Sequence, residues 1–169
     1  PITTNAIAGE THSGLYLSDY LIATSCTRSS DSEVTDSAAG GTAISSGYRT
    51  VNGRVGMDPN GVPRPSLLEA AQADGKATGI VTTSYWTDAT PGSFAAHVKK
   101  RGQTDQIAAQ MLRHDLDILL GGGSECDSLG RVSAMREGYT VVDDAKSLAD
   151  AVARGEKRIW SRFGEVGQI

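Results

Sequence analysis

Ser37 is a hydroxyl nucleophile at the expected first turn of a helix of small residues, in the run Val34-Thr35-Asp36-Ser37-Ala38-Ala39-Gly40-Gly41-Thr42-Ala43. A helix start has backbone N–H groups without intrahelical partners and a partial positive charge, which together hold an anion and stabilise negative charge on a nearby oxygen. Small neighbours leave room for a tetrahedral phosphate to approach. The same Thr-Asp-Ser also reads as an ordinary helix cap, because Asp and Ser both accept hydrogen bonds from first-turn amides. The run alone does not separate the two readings.

A second constellation follows an apolar, β-branched run at residues 77–83 that reads as a strand. It comprises Thr82-Thr83-Ser84-Tyr85-Trp86-Thr87-Asp88-Ala89-Thr90-Pro91 and then Phe94-Ala95-Ala96-His97-Val98-Lys99-Lys100-Arg101. In open α/β sheets, functional groups gather just beyond the carboxyl ends of strands. Asp88 and Thr90 supply two hard oxygen donors of the kind magnesium prefers. Arg101 supplies a planar cationic fork suited to two phosphate oxygens, whereas Lys99 and Lys100 read as solvated.

With these residues in place, the chain resembles the alkaline phosphatase family, of the bacterial type. The resemblance rests on V-T-D-S-A-A-x-x-T-A-x-x-x-G, on Thr50-Val51-Asn52-Gly53, on Leu68-Glu69-Ala70-Ala71 through Gly75-Lys76-Ala77-Thr78-Gly79, on the D-A-T-P and A-H-V-x-x-R blocks, and on Leu119-Leu120-Gly121-Gly122-Gly123. These occur in family order over roughly residues 15 to 150. The resemblance implies that Ser37 is the nucleophile, forming a phosphoserine intermediate and contacting one of two zinc ions. It implies that Asp36 orients the phosphate-binding arginine and presents its amide near the phosphate, and that Arg101 is that arginine. It further implies that Thr90 is a magnesium ligand, that Asp88 holds magnesium through water, and that His97 is structural. A serine hydroxyl needs a base or a metal to attack at neutral pH, and charge neutralisation then carries much of phosphoryl transfer.

The family's metal cage also draws on an early Asp in a G-D-G-like setting and on later acidic residues and histidines, which this chain lacks. His12, His97 and His114 show no close metal-ligand spacing. The expectation is therefore an N-terminal-central portion of a larger enzyme, residues 1–169 forming a single partial domain with negligible activity alone. The resemblance implies a phosphomonoester or inorganic phosphate as the bound molecule, a homodimer or the rest of the same enzyme as partner, and a periplasmic or secreted location. One alternative is a noncatalytic phosphate-binding α/β fragment. Another is a nucleotide-binding module on residues 121–123, although Gly121-Gly122-Gly123-Ser124 lacks the spacing of a phosphate loop and reads as a structural turn.

Composition is compatible with a globular piece: 169 residues, 38% hydrophobic, with a formal charge of −4 and no basic stripe to suit nucleic acid. No signal peptide or apolar run of membrane-spanning length is visible, so no membrane partner is expected. Two cysteines, Cys26 and Cys126, do not by themselves establish a disulfide, free buried thiols are at least as good a reading, and neither residue falls where the family would place a bridge.

The elements that must position the site alternate between strand and helix, which predicts an α/β fold with a central, mostly parallel sheet flanked by helices, here incomplete. Residues 22–29 read as a strand leading to the nucleophile, 36–46 as its helix stopped by Gly47, and 57–61 as a turn-rich loop. Ser66 caps a helix through Asp74, with Glu69 completing a capping box and Gly75 as the stop. Residues 104–114 read as a helix with Ile107, Ala108, Met111 and Leu112 inward. Residues 117–120 and 139–142 read as strands, and 143–153 as a helix with Leu148 and Val152 inward. Trp160 and Phe163 are expected as exposed aromatics seeking a partner surface.

Overall fold

Ile80 and Val81 open a run of strand-forming residues, and around it the chain builds a sheet. The computed structural model describes residues 26–122 and 127–163. Four strands, β1 (Gly79–Tyr85), β2 (Ile118–Gly122), β3 (Thr140–Val142) and β4 (Ile159–Arg162), pair in the order β1-β2-β4-β3, all parallel. Parallel neighbours need crossovers, and helices supply them. α1 (Ser37–Ser46) and α2 (Leu67–Ala73) precede the sheet. α3 (Ala89–Gly92) and α4 (Thr104–Arg113) link β1 to β2, α5 (Asp127–Arg136) links β2 to β3, and α6 (Ala145–Ala153) links β3 to β4. β1 starts at Gly79 rather than 77 because the Thr78 amide donates to the Asp117 carboxylate at 2.7 Å instead of to a ladder.

The helix ends follow their capping residues. Asp36 caps α1 through the Ala39 amide, and Gly47 closes it at φ 76°. Ser66 and Glu69 form the capping box of α2. α4 buries Ile107, Met111 and Leu112 in a core shared with Leu116, Leu119, Trp86 and Trp160. α1 buries small side chains throughout, and that lets it approach α3. A Cβ on Gly41 would lie 2.7 Å from Ser93 Oγ and 3.4 Å from Thr90 Cα.

Several expectations are corrected. Residues 26–29, the described part of the strand expected at 22–29, are irregular; residues 22–25 lie outside the described residues. Side-chain oxygens compete for the backbone there: the Ser29 amide donates to Thr35 Oγ1 at 2.9 Å, and Ser29 Oγ to Asp31 at 2.5 Å. Gly121 and Gly122 do not form a turn but end β2, and Gly123 lies outside the described residues. Gly121 allows Trp86 to pack on the strand, since a Cβ would stand 2.6 Å from Trp86 Cβ. Val152 is 59% exposed, because the buried stripe of α6 runs through Leu148 and Ala151. Trp160 is only 3% exposed: β4 inserts between β2 and β3, and the indole meets Trp86 edge-on at 6.0 Å. Phe163 packs beside Leu120, Val142, Ala151 and Ile159. Cys26 is a free, exposed thiol rather than a buried one, and Cys126 lies outside the described residues. Helix α5 was not anticipated, and neither was the single turn α3, which accommodates Pro91 because a first turn needs no N–H there.

Candidate active site

Asp36 is the N-cap of α1, and Ser37 is the first helical residue, with its side chain exposed. Asp36 Oδ1 accepts from the Ala39 amide at 2.9 Å, and the Asp36 carbonyl accepts from Gly40 at 3.0 Å. The Ser37 amide, on an exposed residue, is thereby left as an open donor of the first turn among the described residues, whereas Ala38 is fully buried. The Asp36 amide, which the family resemblance would present to a phosphate, donates to Asn52 Oδ1 at 3.0 Å.

Arg101 reaches this turn from the loop between α3 and α4. Its Nη1 donates to Ser37 Oγ at 2.6 Å and lies 3.7 Å from Asp36 Oδ2, while its Nη2 donates to Asp88 Oδ1 at 2.8 Å. Asp88 follows the carboxyl end of β1 and caps α3, accepting from the Ala89 amide at 2.7 Å; Ser84 Oγ donates to its second oxygen at 3.1 Å. The structure thus brings Ser37, Asp36, Arg101 and Asp88 into one cluster. Thr90 stands apart on the next turn of the chain, exposed, and lines a mostly apolar groove of about 260 Å³ with Leu68, Ile80, Val81, Pro91 and Phe94.

His97 is fastened on every side. Its amide donates to Gln110 Oε1 at 2.8 Å, its Nδ1 lies 2.6 Å from the Gly56 carbonyl, and its Nε2 lies 3.0 Å from Glu69 Oε1. His114 Nε2 meets the same Glu69 oxygen at 3.1 Å. Burial pushes the Glu69 carboxyl up, but the Ser66 amide and the two histidines outweigh it and hold the group below its ordinary 4.5. Asp31 is also held low, by the Ser29 hydroxyl and then by the Asn52 amide.

Sequence reasoning missed two features here. Asn52 and Gly53 bond both to the Asp36 turn and to Arg101, yet Thr50-Val51-Asn52-Gly53 carried no chemistry on its face. His114 and Glu69 lie 45 residues apart, and no spacing rule pairs them.

An exposed serine hydroxyl at a helix N-terminus, gripped by an arginine that a carboxylate beyond a parallel strand holds, defines an α/β protein with a site suited to a tetrahedral oxyanion. The profile of the alkaline phosphatase family matches residues 6–162, and the chain belongs to that family. It is 41% identical over 146 residues to the repressible alkaline phosphatase of Saccharomyces cerevisiae, covering 79% of this chain and 26% of that protein. The cold-active alkaline phosphatase of a Shewanella species superposes with a TM-score of 0.75 at 31% identity, over 92% of this chain and 40% of that one. A histidine-to-aspartate variant of the TAB5 alkaline phosphatase, from an Antarctic bacterium and solved with Mg bound in its M3 site, superposes at a TM-score of 0.71 and 30% identity, over 84% of this chain and 42% of that one. The chain spans between 21% and 34% of the length of the curated relatives it matches.

Proposed function

We propose that this chain is the portion of a phosphomonoester hydrolase that carries the nucleophile and the phosphate-binding arginine. The observation that carries the reading is the Arg101 guanidinium shared between Ser37 Oγ and Asp88 at the open N-terminus of α1. In this reading Ser37 Oγ attacks phosphorus in line, the ester P–O bond breaks, and the alcohol leaves. Water then releases phosphate from the phosphoserine. Arg101 and the open amide of Ser37 hold the equatorial oxygens, where charge resides through a loose transition state. Asp36 contributes its carboxylate beside Arg101 rather than its amide.

The family resemblance implies zinc. Among the described residues no three His, Cys, Asp or Glu side chains are grouped to hold a metal, so these residues do not build a zinc site, and we derive no step through one. Ser37 Oγ pairs with Arg101, which only donates, so no base for the hydroxyl stands among the described residues. For magnesium the fit rests on Asp88, a hard oxygen donor that already accepts three hydrogen bonds, which favours a hold through water; Thr90, apart in the neighbouring groove, would be a ligand only from that side. Bound there, magnesium would supply further positive charge beside Arg101. We expect the 169 residues to bind phosphate without appreciable turnover. The periplasmic or secreted setting and the homodimer belong to the same proposal. No helix among the described residues is long and apolar enough to cross a membrane.

The test is to incubate the chain and Ser37→Ala with inorganic phosphate at acidic pH, quench, and map covalent phosphate by mass spectrometry. Phosphate on the Ser37 peptide, absent in Ser37→Ala, supports the hydrolase. Saturable binding with no phosphoserine favours a noncatalytic phosphate-binding fragment, a second reading consistent with the lack of a base at Ser37.

A further inference from the structure

We propose that Asn52, with Gly53, clamps the nucleophile turn to the arginine loop, making Asn52 a positioning residue for both Ser37 and Arg101; the inference rests on the phosphate-handling reading above. Asn52 Oδ1 accepts from the Asp36 amide at 3.0 Å, and its Nδ2 donates to the Val34 carbonyl at 2.8 Å. One side chain therefore spans the backbone on both sides of the turn that leads into Ser37. Its amide orientation follows from its partners, because a backbone N–H only donates and a carbonyl only accepts. The Asn52 backbone N–H is tied to Asp31 Oδ1 at 2.9 Å, which anchors the residue from a third direction.

Gly53 extends the clamp to the other loop. Its amide donates to Asp36 Oδ2 at 2.9 Å, and its carbonyl accepts the Arg101 amide at 2.7 Å. Gly53 adopts φ +80°, and a Cβ placed there would meet nothing within 4 Å, so the turn uses its backbone freedom rather than its small size. Arg101 lies outside regular structure, and its backbone is held by this bond and by the nearby Val55–Val98 bridge pair. The Ser37–Arg101 distance of 2.6 Å is thus set by a turn that touches neither functional group. Each hydroxyl, carboxylate and guanidinium of the site keeps its own anchor, but Asn52-Gly53 is where two of those anchors meet.

A clamp that fixes Ser37 relative to Arg101 matters only while both groups are present, whereas a residue that merely supports the Ser37 turn would weaken phosphate binding by the same factor whatever stands at position 101. Inorganic phosphate is titrated into the full chain, Asn52→Ala, Arg101→Ala and the double variant, following the backbone resonances of Ser37 and Arg101. Asn52→Ala is expected to weaken binding about tenfold, since it removes both side-chain hydrogen bonds and leaves the Asp36 amide and the Val34 carbonyl without them. In the Arg101→Ala background the same change should cost less than about twofold. Equal factors in the two backgrounds would overturn the clamp. Absence of phosphate binding by the wild type would overturn the phosphate reading instead, and amide exchange then decides the clamp separately. The Asp36 and Arg101 amides should be protected together in the wild type and lose protection together in Asn52→Ala, with the β2 amides unchanged. Unequal protection of the two amides in the wild type refutes the clamp even where the variant does not fold.

Discussion

Gly40 and Gly41 are adjacent in α1, yet alanine should stabilise the chain only at the first of the two positions. In a helix interior, glycine is about 0.8–1 kcal/mol less favourable than alanine. At Gly40 the new methyl meets only Thr35 Cγ2 at 3.7 Å, an ordinary contact, so Gly40→Ala should gain most of that amount. At Gly41 the methyl would stand 2.7 Å from Ser93 Oγ. That oxygen is poorly able to move: Ser93 is 1% exposed, its Oγ donates to the Thr90 carbonyl at 2.8 Å, and Ser45 Oγ donates to the Ser93 carbonyl at 2.7 Å. Thr90 Cα blocks the other side at 3.4 Å. Separating α1 from α3 costs about 1–3 kcal/mol on the scale of overpacked cores. The net for Gly41→Ala therefore runs from about neutral to roughly 2 kcal/mol destabilising, and the two variants should differ by about 1–3 kcal/mol. Urea unfolding with linear extrapolation measures the difference. Because α1 carries Ser37 and α3 is capped by Asp88, Gly41→Ala should also weaken phosphate binding, whereas Gly40→Ala should leave it unchanged. If both variants gain stability equally, the close contact between these helices is wrong, and with it the account of how Ser37 and Asp88 are set side by side.

Arg101→Ala removes the donors to Ser37 and Asp88. With the side chain 39% exposed, the loss should fall at the low end of the range for charged hydrogen bonds, about 1.5 kcal/mol, or roughly tenfold in phosphate affinity by calorimetry. Arg101→Lys should recover only part of it, because one ammonium cannot present two forked donors; identical affinities in all three proteins would sink the assignment. Glu69 has its carboxyl lowered in the folded chain. Its contribution to stability is thus complete above its ordinary 4.5 and lost as pH falls through its lower folded value. Glu69→Gln should flatten the acid side of a stability-versus-pH curve, and an unchanged acid slope would refute the link. Trp160→Ala should destabilise by about 3–5 kcal/mol in thermal unfolding. Trp160→Phe should cost less, since the indole N–H has no partner among the described residues to lose; equal costs would contradict that packing.

Which parts of this architecture could be read from the chain depends on how far apart the deciding residues lie. The capping box at Ser66 and Glu69, the Asp36 cap and the Gly47 stop are decided within one turn of helix, and each stands where the residue types place it. The helical face of Ile107, Met111 and Leu112 is likewise local, because its period is written in ten consecutive residues. Trp160 could not be placed this way. Its burial depends on β4 inserting between two strands that precede it in the chain, and on Gly121 making room for Trp86. Helix α5 carries no strong apolar period, with Val132 and Met135 both exposed, so only its crossover role between β2 and β3 accounts for it.

The same distinction runs through the site. Ser37 and Arg101 announce themselves because a hydroxyl and a guanidinium have recognisable chemistry wherever they occur, and the structure joins them across 64 residues. Asn52 has no such signature: an Asn-Gly pair reads as a turn, and turns are common. Its consequence appears only when one amide group is seen to satisfy the chain on both sides of Asp36 while its neighbour accepts the Arg101 amide. A site of this kind is specified twice, once by the reacting groups and once by the backbone bonds that hold their loops at a fixed separation. Substituting a reacting group removes chemistry; substituting Asn52 should leave every reacting group present and alter only the distance between them.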